Sequence, residues 1–418
     1  MQAKHILDGI TVVDLTQFIA GPIAGRTMAE MGAEVIKVEL APDGDQARGL
    51  PVIKNGRSAY FVQQNQGKLG LCLHLREPRG REVLSRLLAR ADVFIENLSP
   101  GAIGRLGFGW EIVHGLNPKL TMCSISAFGQ RGPLANQPGF DFIAQGYTGV
   151  TSMIGEPAEP PPLAGVAIGD VGTAVAAVAA INGALFHQAR HGGEGQYLDI
   201  ALIDFYFLSH SINVEAASVS GGAVEPTRTG SHHQHAAPTG IFSGPDGHII
   251  ILAVTDDMWR RLTRAMARPE LGADPRFAKR EDRIANRAEL IRLIEAWLAD
   301  IGGVRDACRA LQAERVPCAP VLTVAQAMAE PHLIERGTVR EIEDPSIGRF
   351  QIPGSPVRFS AFPELAGGRA PYLGEHNRAV LTERLGYTDD EVRALEAAGV
   401  LVSEPLPASA AEQEGARG

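Results

Sequence analysis

Over the first third of the chain, short β-branched apolar runs alternate with stretches of helical composition. Thr11–Leu15 (TVVDL) reads as a buried strand, Ile19–Gly32 as a helix stopped by Gly32, and Glu34–Glu39 (EVIKVE) as a second strand. This βαβ opening predicts a parallel, doubly wound sheet. After a polar loop at Pro42–Arg57 the alternation resumes, with an amphipathic helix at Arg79–Arg90 and a strand at Asp92–Glu96. A helix at Trp110–Leu116 and a strand at Leu120–Ile125 follow.

The longest apolar run comes next. A Gly/Pro-rich lead-in from Leu163 ends at Asp170, and Val171–Leu185 is almost entirely Ala, Val, Gly, Ile and Leu. That pattern predicts a helix buried on most sides. Asp170 stands where the helix should start, and two readings stay open. A carboxylate there can be an ordinary N-cap that accepts the free N–H groups of the first turn. It can also be a nucleophile, held ionised by the helix dipole, with Gly169 and Gly172 leaving room for a bulky substrate. Beyond the helix, Gln196–Ala201 reads as a strand and Leu202–Ala217 as one helix.

Ser218–Pro226 is a Gly-rich break, and the pattern then changes. Thr239–Phe242 and His248–Ala253 flank a Pro-Asp-Gly turn, the signature of a hairpin. Helices are expected at Asp257–Met266, Arg287–Ile301 and Val304–Glu314. From about Thr323 to Gly374 the chain is extended and Pro/Gly-rich, before two short helices at Arg378–Leu385 and Asp389–Ala398. The expected organisation is an α/β, Rossmann-like large domain from residues 1–220, a small α+β domain at 226–325, and a return to the large domain at 326–402. A disordered tail is expected at 403–418, where bulky apolar residues are nearly missing.

Composition narrows the function. The 418 residues suffice for two domains, and 45% hydrophobic with 21% charged residues fits a globular chain. A net charge of −9 argues against nucleic-acid binding, which needs a basic surface. The four cysteines are widely spaced without a CxxC pair, predicting free thiols in a reducing cytoplasm and neither disulfides nor zinc. The N-terminus lacks a secretory pattern, and the apolar helix after Asp170 is rich in small residues, so no membrane association is expected.

Motif chemistry excludes the common nucleotide sites. The first turn, Ala20-Gly-Pro-Ile-Ala-Gly25, is not GxGxxG, although Glu39 imitates a ribose-binding acid. No phosphate loop or GxSxG elbow occurs. The histidines of Arg228–His235 (RTGSHHQH) have no acidic or cysteine partner nearby, so no metal is expected. Lys68, Arg76 and Arg105 follow predicted strands and could surround an anionic ligand at the strand ends.

Six segments in order carry a resemblance over about Leu7 to Val400. They are GITVVDLTQFIAGPIAGRTMAEMGAEVIKVE, ENLSPGAIGRLGFGWE (Glu96–Glu111), PGFDFIAQGYTGV (Pro138–Val150), RTGSHHQHAAPTGIF with DPRF and NRAEL, PGSPVRFS (Pro353–Ser360) and LGEHN (Leu373–Asn377). The sequence resembles the class III coenzyme A transferases, a group that includes formyl-CoA and carnitine CoA-transferases and the related 2-methylacyl-CoA racemases. The resemblance implies that Asp170 is the nucleophile. It also implies coenzyme A contacts from Ile19 and Ala20, from Leu73, His74, Leu75 and Arg76, from Asn97, Leu98 and Ser99, and from Arg105. Gly139, Phe140 and Asp141 would lie over the thioester. Coenzyme A and acyl-CoA are then substrates, with no tightly bound cofactor, and the partners are acyl-CoA, a carboxylic acid and a second copy in an interlocked homodimer. Two departures stand out: Leu40 replaces a basic residue of several relatives, and RTGSHHQH replaces a glycine-run loop. Arg48, Arg228 and His233 are candidates for binding a second carboxylate of a short dicarboxylic acid. Racemases of this group use a Gly-His-Asp motif, but here it is Gly139-Phe140-Asp141, and Phe cannot move a proton. A racemase and a non-catalytic coenzyme A-binding relative remain the alternatives.

Overall fold

The computed structural model describes residues 5–362 and 368–407. The first four residues, part of the expected extended stretch (363–367) and most of the expected disordered tail (408–418) lie outside the described residues. The chain forms two compact units. The first comprises residues 1–148, 166–210 and 331–418, and the second residues 149–165 and 211–330.

Six strands build the sheet of the first unit: β1 (Thr11–Leu15), β2 (Glu34–Leu40), β3 (Leu69–Leu73), β4 (Val93–Glu96), β5 (Thr121–Ser126) and β6 (Tyr197–Ala201). Their order is β3-β2-β1-β4-β5-β6, and every neighbouring pair is parallel. Val13 pairs with Ile36 on one side and Phe94 on the other, and all three are fully buried. Helices cover both faces of such a sheet, so its central strands need not alternate with polar residues. β3, whose run (LGLCL) is interrupted by Gly70, is absent from the strands expected above. The C-terminal segment seals it: His74 N–H donates to the Val400 carbonyl (2.9 Å), and Cys72 N–H to Asn377 Oδ1 (2.9 Å).

The helix that carries Asp170 spans Ile168–His191, starting two residues earlier than expected. Ala167 is at the N-cap and offers no side-chain cap, so Asp170 lies inside the first turn and is not the cap. Nor is the helix buried on most sides. Gly169, Thr173, Ala174, Ala177, Val178, Ile181 and Ala184 form one buried stripe, while Val171, Val175 and Phe186 are exposed. The helix is long and apolar enough to cross a membrane, yet it packs on the Ala20–Glu30 helix and on β5 and β6. Small side chains on the stripe permit that close approach to the sheet.

The expected helix Leu202–Ala217 is two, Leu202–Leu208 and Asn213–Val219. Ser209 Oγ donates to the Phe205 carbonyl (2.8 Å), competing with the backbone ladder, and the chain passes to the second unit after His210. The second unit holds the hairpin Thr239–Gly244 and Gly247–Leu252, extended by Cys318–Pro320, with helices Asp256–Ala265, Arg287–Asp300 and Val304–Ala313. Its core is closed by Trp259, Phe242 and Phe277. The segment 149–165, which precedes the central helix, also belongs to this unit and was not separable from the large domain by composition.

Candidate active site

Sheets of this order bind ligands beyond the carboxyl ends of the strands, where the order reverses. That point lies between β1 and β4, and a cleft of about 380 Å³ opens there. Gln17–Ala20 follow β1, Asn97–Pro100 follow β4, Ile125–Phe128 end β5 and extend past it, and Leu202 follows β6. Gly139–Phe142 and Asp170 complete the lining with Tyr60 and neighbouring residues. The structure therefore brings together Ile19, Ala20, Asn97, Leu98, Ser99, Gly139, Phe140, Asp141 and Asp170, which lie far apart in sequence.

Asp170 is partly buried in this cleft. Burial, reinforced by the charge of Asp141, pushes its carboxyl up to about 7. A helix N-terminus favours an anion, but its donors are already taken. Asp170 N–H donates to Asp141 Oδ2 (2.9 Å), and the Tyr206 hydroxyl donates to Asp141 Oδ1. The helix start therefore does not lower the Asp170 carboxyl, because its Asp170 N–H is spent on the Asp141 side chain.

The glycines beside Asp170 serve packing, not substrate room. A Cβ on Gly169 would lie 2.2 Å from the Tyr206 ring, and one on Gly172 1.9 Å from the Phe205 ring.

Several expected contacts change. Asn97 lines the cleft, but its side-chain amide is spent on Gln17: Gln17 N–H donates to Oδ1 and Nδ2 donates to the Gln17 carbonyl, both at 2.8 Å. Leu73 and Leu75 point into the hydrophobic core and offer no side chain to a ligand. His74 is partly buried, and Arg76 and Arg105 are exposed; none of the three lines the cleft. Lys68 is fully buried against Asp14 (2.7 Å), Asn65 (2.9 Å) and the Pro22 carbonyl (2.8 Å), which removes it from any anion site. Arg48 makes a two-pronged ion pair with Glu39, both contacts at 2.7 Å, and stacks on Phe61 at 3.8 Å. It lines a different cavity, so its charge is not free for a substrate carboxylate. Arg228 and His233 belong to the second unit. Arg228 donates to the carbonyls of Glu156 (2.8 Å) and Glu159 (2.6 Å), stapling two loops of that unit. His233 is exposed, with Nδ1 accepting from His235 N–H (3.1 Å).

Gln17, Phe18, Tyr60 and Tyr206 were not foreseen. Tyr60 lies near enough to Asp170 for that carboxylate to help burial raise its phenol. It follows a polar loop with no motif to mark it, while Tyr206 lies in the run LIDFYFL, which reads simply as core. Phe18 has a left-handed backbone (φ 66°), fixed by its N–H donating to Asp45 Oδ1 (3.1 Å) and by its ring edge-on to Phe140.

Fold and cleft together define an α/β enzyme that works at the carboxyl edge of a parallel sheet. The chain belongs to CoA-transferase family III, whose model matches residues 7–377, and it is a class III CoA-transferase. It is 35% identical to a succinyl-CoA–D-citramalate CoA-transferase of Chloroflexus aurantiacus, over 94% of this chain and 98% of that one. It is 37% identical to a succinyl-CoA:mesaconate CoA-transferase of Haloarcula hispanica, over 90% and 96%. Among solved structures it resembles a CaiB/BaiF family protein from Brucella suis, with a TM-score of 0.80, 36% identity, and coverage of 91% of this chain and 99% of that one.

Proposed function

We propose that this enzyme moves coenzyme A from succinyl-CoA to a second short carboxylic acid, with Asp170 as nucleophile. The carrying observation is Asp170 itself, a carboxylate lining the cleft at the switch point of the sheet. The donor is inferred from the relatives named above, which are succinyl-CoA enzymes with different acceptors.

Asp170 attacks the thioester carbonyl, and the C–S bond breaks to release coenzyme A thiolate and leave a mixed anhydride. The thiolate adds to the aspartyl carbonyl, freeing the donor acid and forming an aspartyl-CoA thioester. The acceptor carboxylate attacks that thioester, again expelling thiolate, which takes the acceptor acyl group and regenerates Asp170. A carboxylate suits these steps because each intermediate remains an activated acyl group. Phe18, Phe128, Phe140 and Phe142 line the cleft and would limit water access to the anhydride. No Lys, Arg or His lines this cleft among the described residues, and Phe140 stands where a racemase of this group has its histidine.

The homodimer belongs to the same proposal. Phe186, Phe207 and Leu208 of the first unit are 69%, 54% and 82% exposed, and large apolar side chains left in water are candidates for burial against a second copy. A cytoplasmic location is likewise proposed, supported by four free cysteines.

Asp170→Ala is expected to abolish exchange between succinyl-CoA and free acids while leaving coenzyme A binding near wild type. Hydroxylamine added during turnover should inactivate the wild type and leave an aspartyl hydroxamate at residue 170, seen by peptide mass spectrometry. Substantial exchange by Asp170→Ala would refute the assignment.

A further inference from the structure

The first turn of the central helix lacks a cap of its own, because Ala167 has no side-chain acceptor. Its donors are met from two other elements. Asp141 opens the helix Asp141–Tyr147 and is 6% exposed, and Tyr206, in Leu202–Leu208, is 1% exposed. Asp141 Oδ2 takes the N–H of Asp170, and Oδ1 takes the Tyr206 hydroxyl. Tyr206 is held in turn by Gln145 Nε2 (3.4 Å) and by its ring against Gly169. The residue next to Phe140 thus grips the backbone of the nucleophile itself.

We infer that Asp141, backed by Tyr206, is a positioning residue that caps the central helix from outside, fixes the Asp170 turn toward the cleft, and places its own negative charge beside the Asp170 carboxylate. This rests on Asp170 being the nucleophile. Asp141 had been expected to contact coenzyme A; both its oxygens are instead committed to protein donors.

The other groups around Asp170 leave Asp141 as the charge that matters. Tyr60, from Ala59–Gln64, is held protonated by burial and by Asp170 itself. Tyr206 is also held protonated, by burial and by its bond to Asp141. On the Ala20–Glu30 helix, the charged Arg26 and Glu30 pair with each other (3.0 Å). On β5 the Cys123 thiol is kept neutral by burial, and on β6 Asp199 accepts the Gln130 N–H (3.0 Å). Asp141 is the charge that reinforces burial in lifting Asp170 to about 7.

The test is the pH profile of kcat for succinyl-CoA exchange, read on Asp141→Asn and Tyr206→Phe with Asp170→Ala as the reference. In the wild type the rate should rise with pH and level off above about 7, as Asp170 ionises. Asp141→Asn keeps an oxygen for the Asp170 N–H but loses the charge, so the acid limb should move down by about one pH unit. Tyr206→Phe keeps the charge and loosens its hold, so the limb should stay while kcat falls about tenfold or more with little change in KM. An unmoved limb with full kcat in Asp141→Asn would overturn the inference. If Asp141→Asn does not fold, Asp141→Glu decides: the charge is kept but the longer arm displaces the turn. A reduced kcat with the limb still near pH 7 supports the inference, and a wild-type kcat overturns it. Activity retained by Asp170→Ala would instead sink the nucleophile assignment, a separate outcome.

Discussion

At the scale of single residues, the site depends on places where nothing larger than hydrogen fits. Gly172 faces the Phe205 ring and Gly169 faces the Tyr206 ring, and both aromatics lie on the helix that starts at Leu202, directly after β6. Rings cannot bend away as a lysine tip can, so a methyl group must move the helix or the ring. Gly172→Ala should therefore destabilise the fold by about 1–3 kcal/mol. It should also lower exchange by more than the loss of folded protein explains, because the displaced turn carries Asp170. Urea titration paired with kcat per folded molecule checks both. Glu96, at the end of β4, shows how burial controls charge beneath the cleft loops. At 2% exposure its carboxyl is pushed up to about 7 by desolvation, partly offset by the Leu98 N–H it accepts (2.9 Å).

At the scale of elements, β1, β2 and the loops after them are tied by buried charge. Burial alone would raise Asp14, but the ammonium groups of Lys68 and Lys37 outweigh it and hold the carboxyl below its usual range. Lys37 Nζ reaches Asp45 Oδ2 (2.9 Å) and the Thr16 carbonyl, and Asp45 in turn holds Phe18. The loop that walls the cleft is thus anchored by charges beneath it. Such pairs stabilise little relative to apolar packing, but breaking one strands a buried charge. Lys68→Met is expected to cost about 3–5 kcal/mol, and adding Asp14→Leu should return part of it. Chemical denaturation of the single and double variants gives the coupling directly. The sequence displayed Lys68 only as a basic residue in a loop after a strand, and its partners lie up to 54 positions away.

At the scale of the whole molecule, apolar surface remains where one chain has nothing to cover it. Phe186 and Leu208 come from the central helix and the one that follows it, both packed on the sheet. If that surface is buried by a second copy, Phe207→Glu with Leu208→Glu should shift the assembly toward monomer, which sedimentation velocity measures directly. A double variant that sediments like the wild type would place the subunit contact elsewhere.

The sequence by itself determined the elements whose signal is local. Parallel strands showed as β-branched runs, the hairpin as its Pro-Asp-Gly turn, and Asp170 as an acid at the start of an apolar helix. Ordered segments along the chain were enough for the family. Tertiary structure alone decided which charges are free. Arg48 and Lys68 looked available because their partners, Glu39 with Glu404 and Asp14, are brought to them only by the sheet and the returning C-terminus. It also decided the cap of the central helix. The sequence offered Asp170, the nearest acid, as one candidate for that role, but a helix donor is satisfied by whichever acceptor folding places within reach. Here that is Asp141, 29 residues upstream, while burial and the charge of Asp141 leave the Asp170 carboxyl raised to about 7.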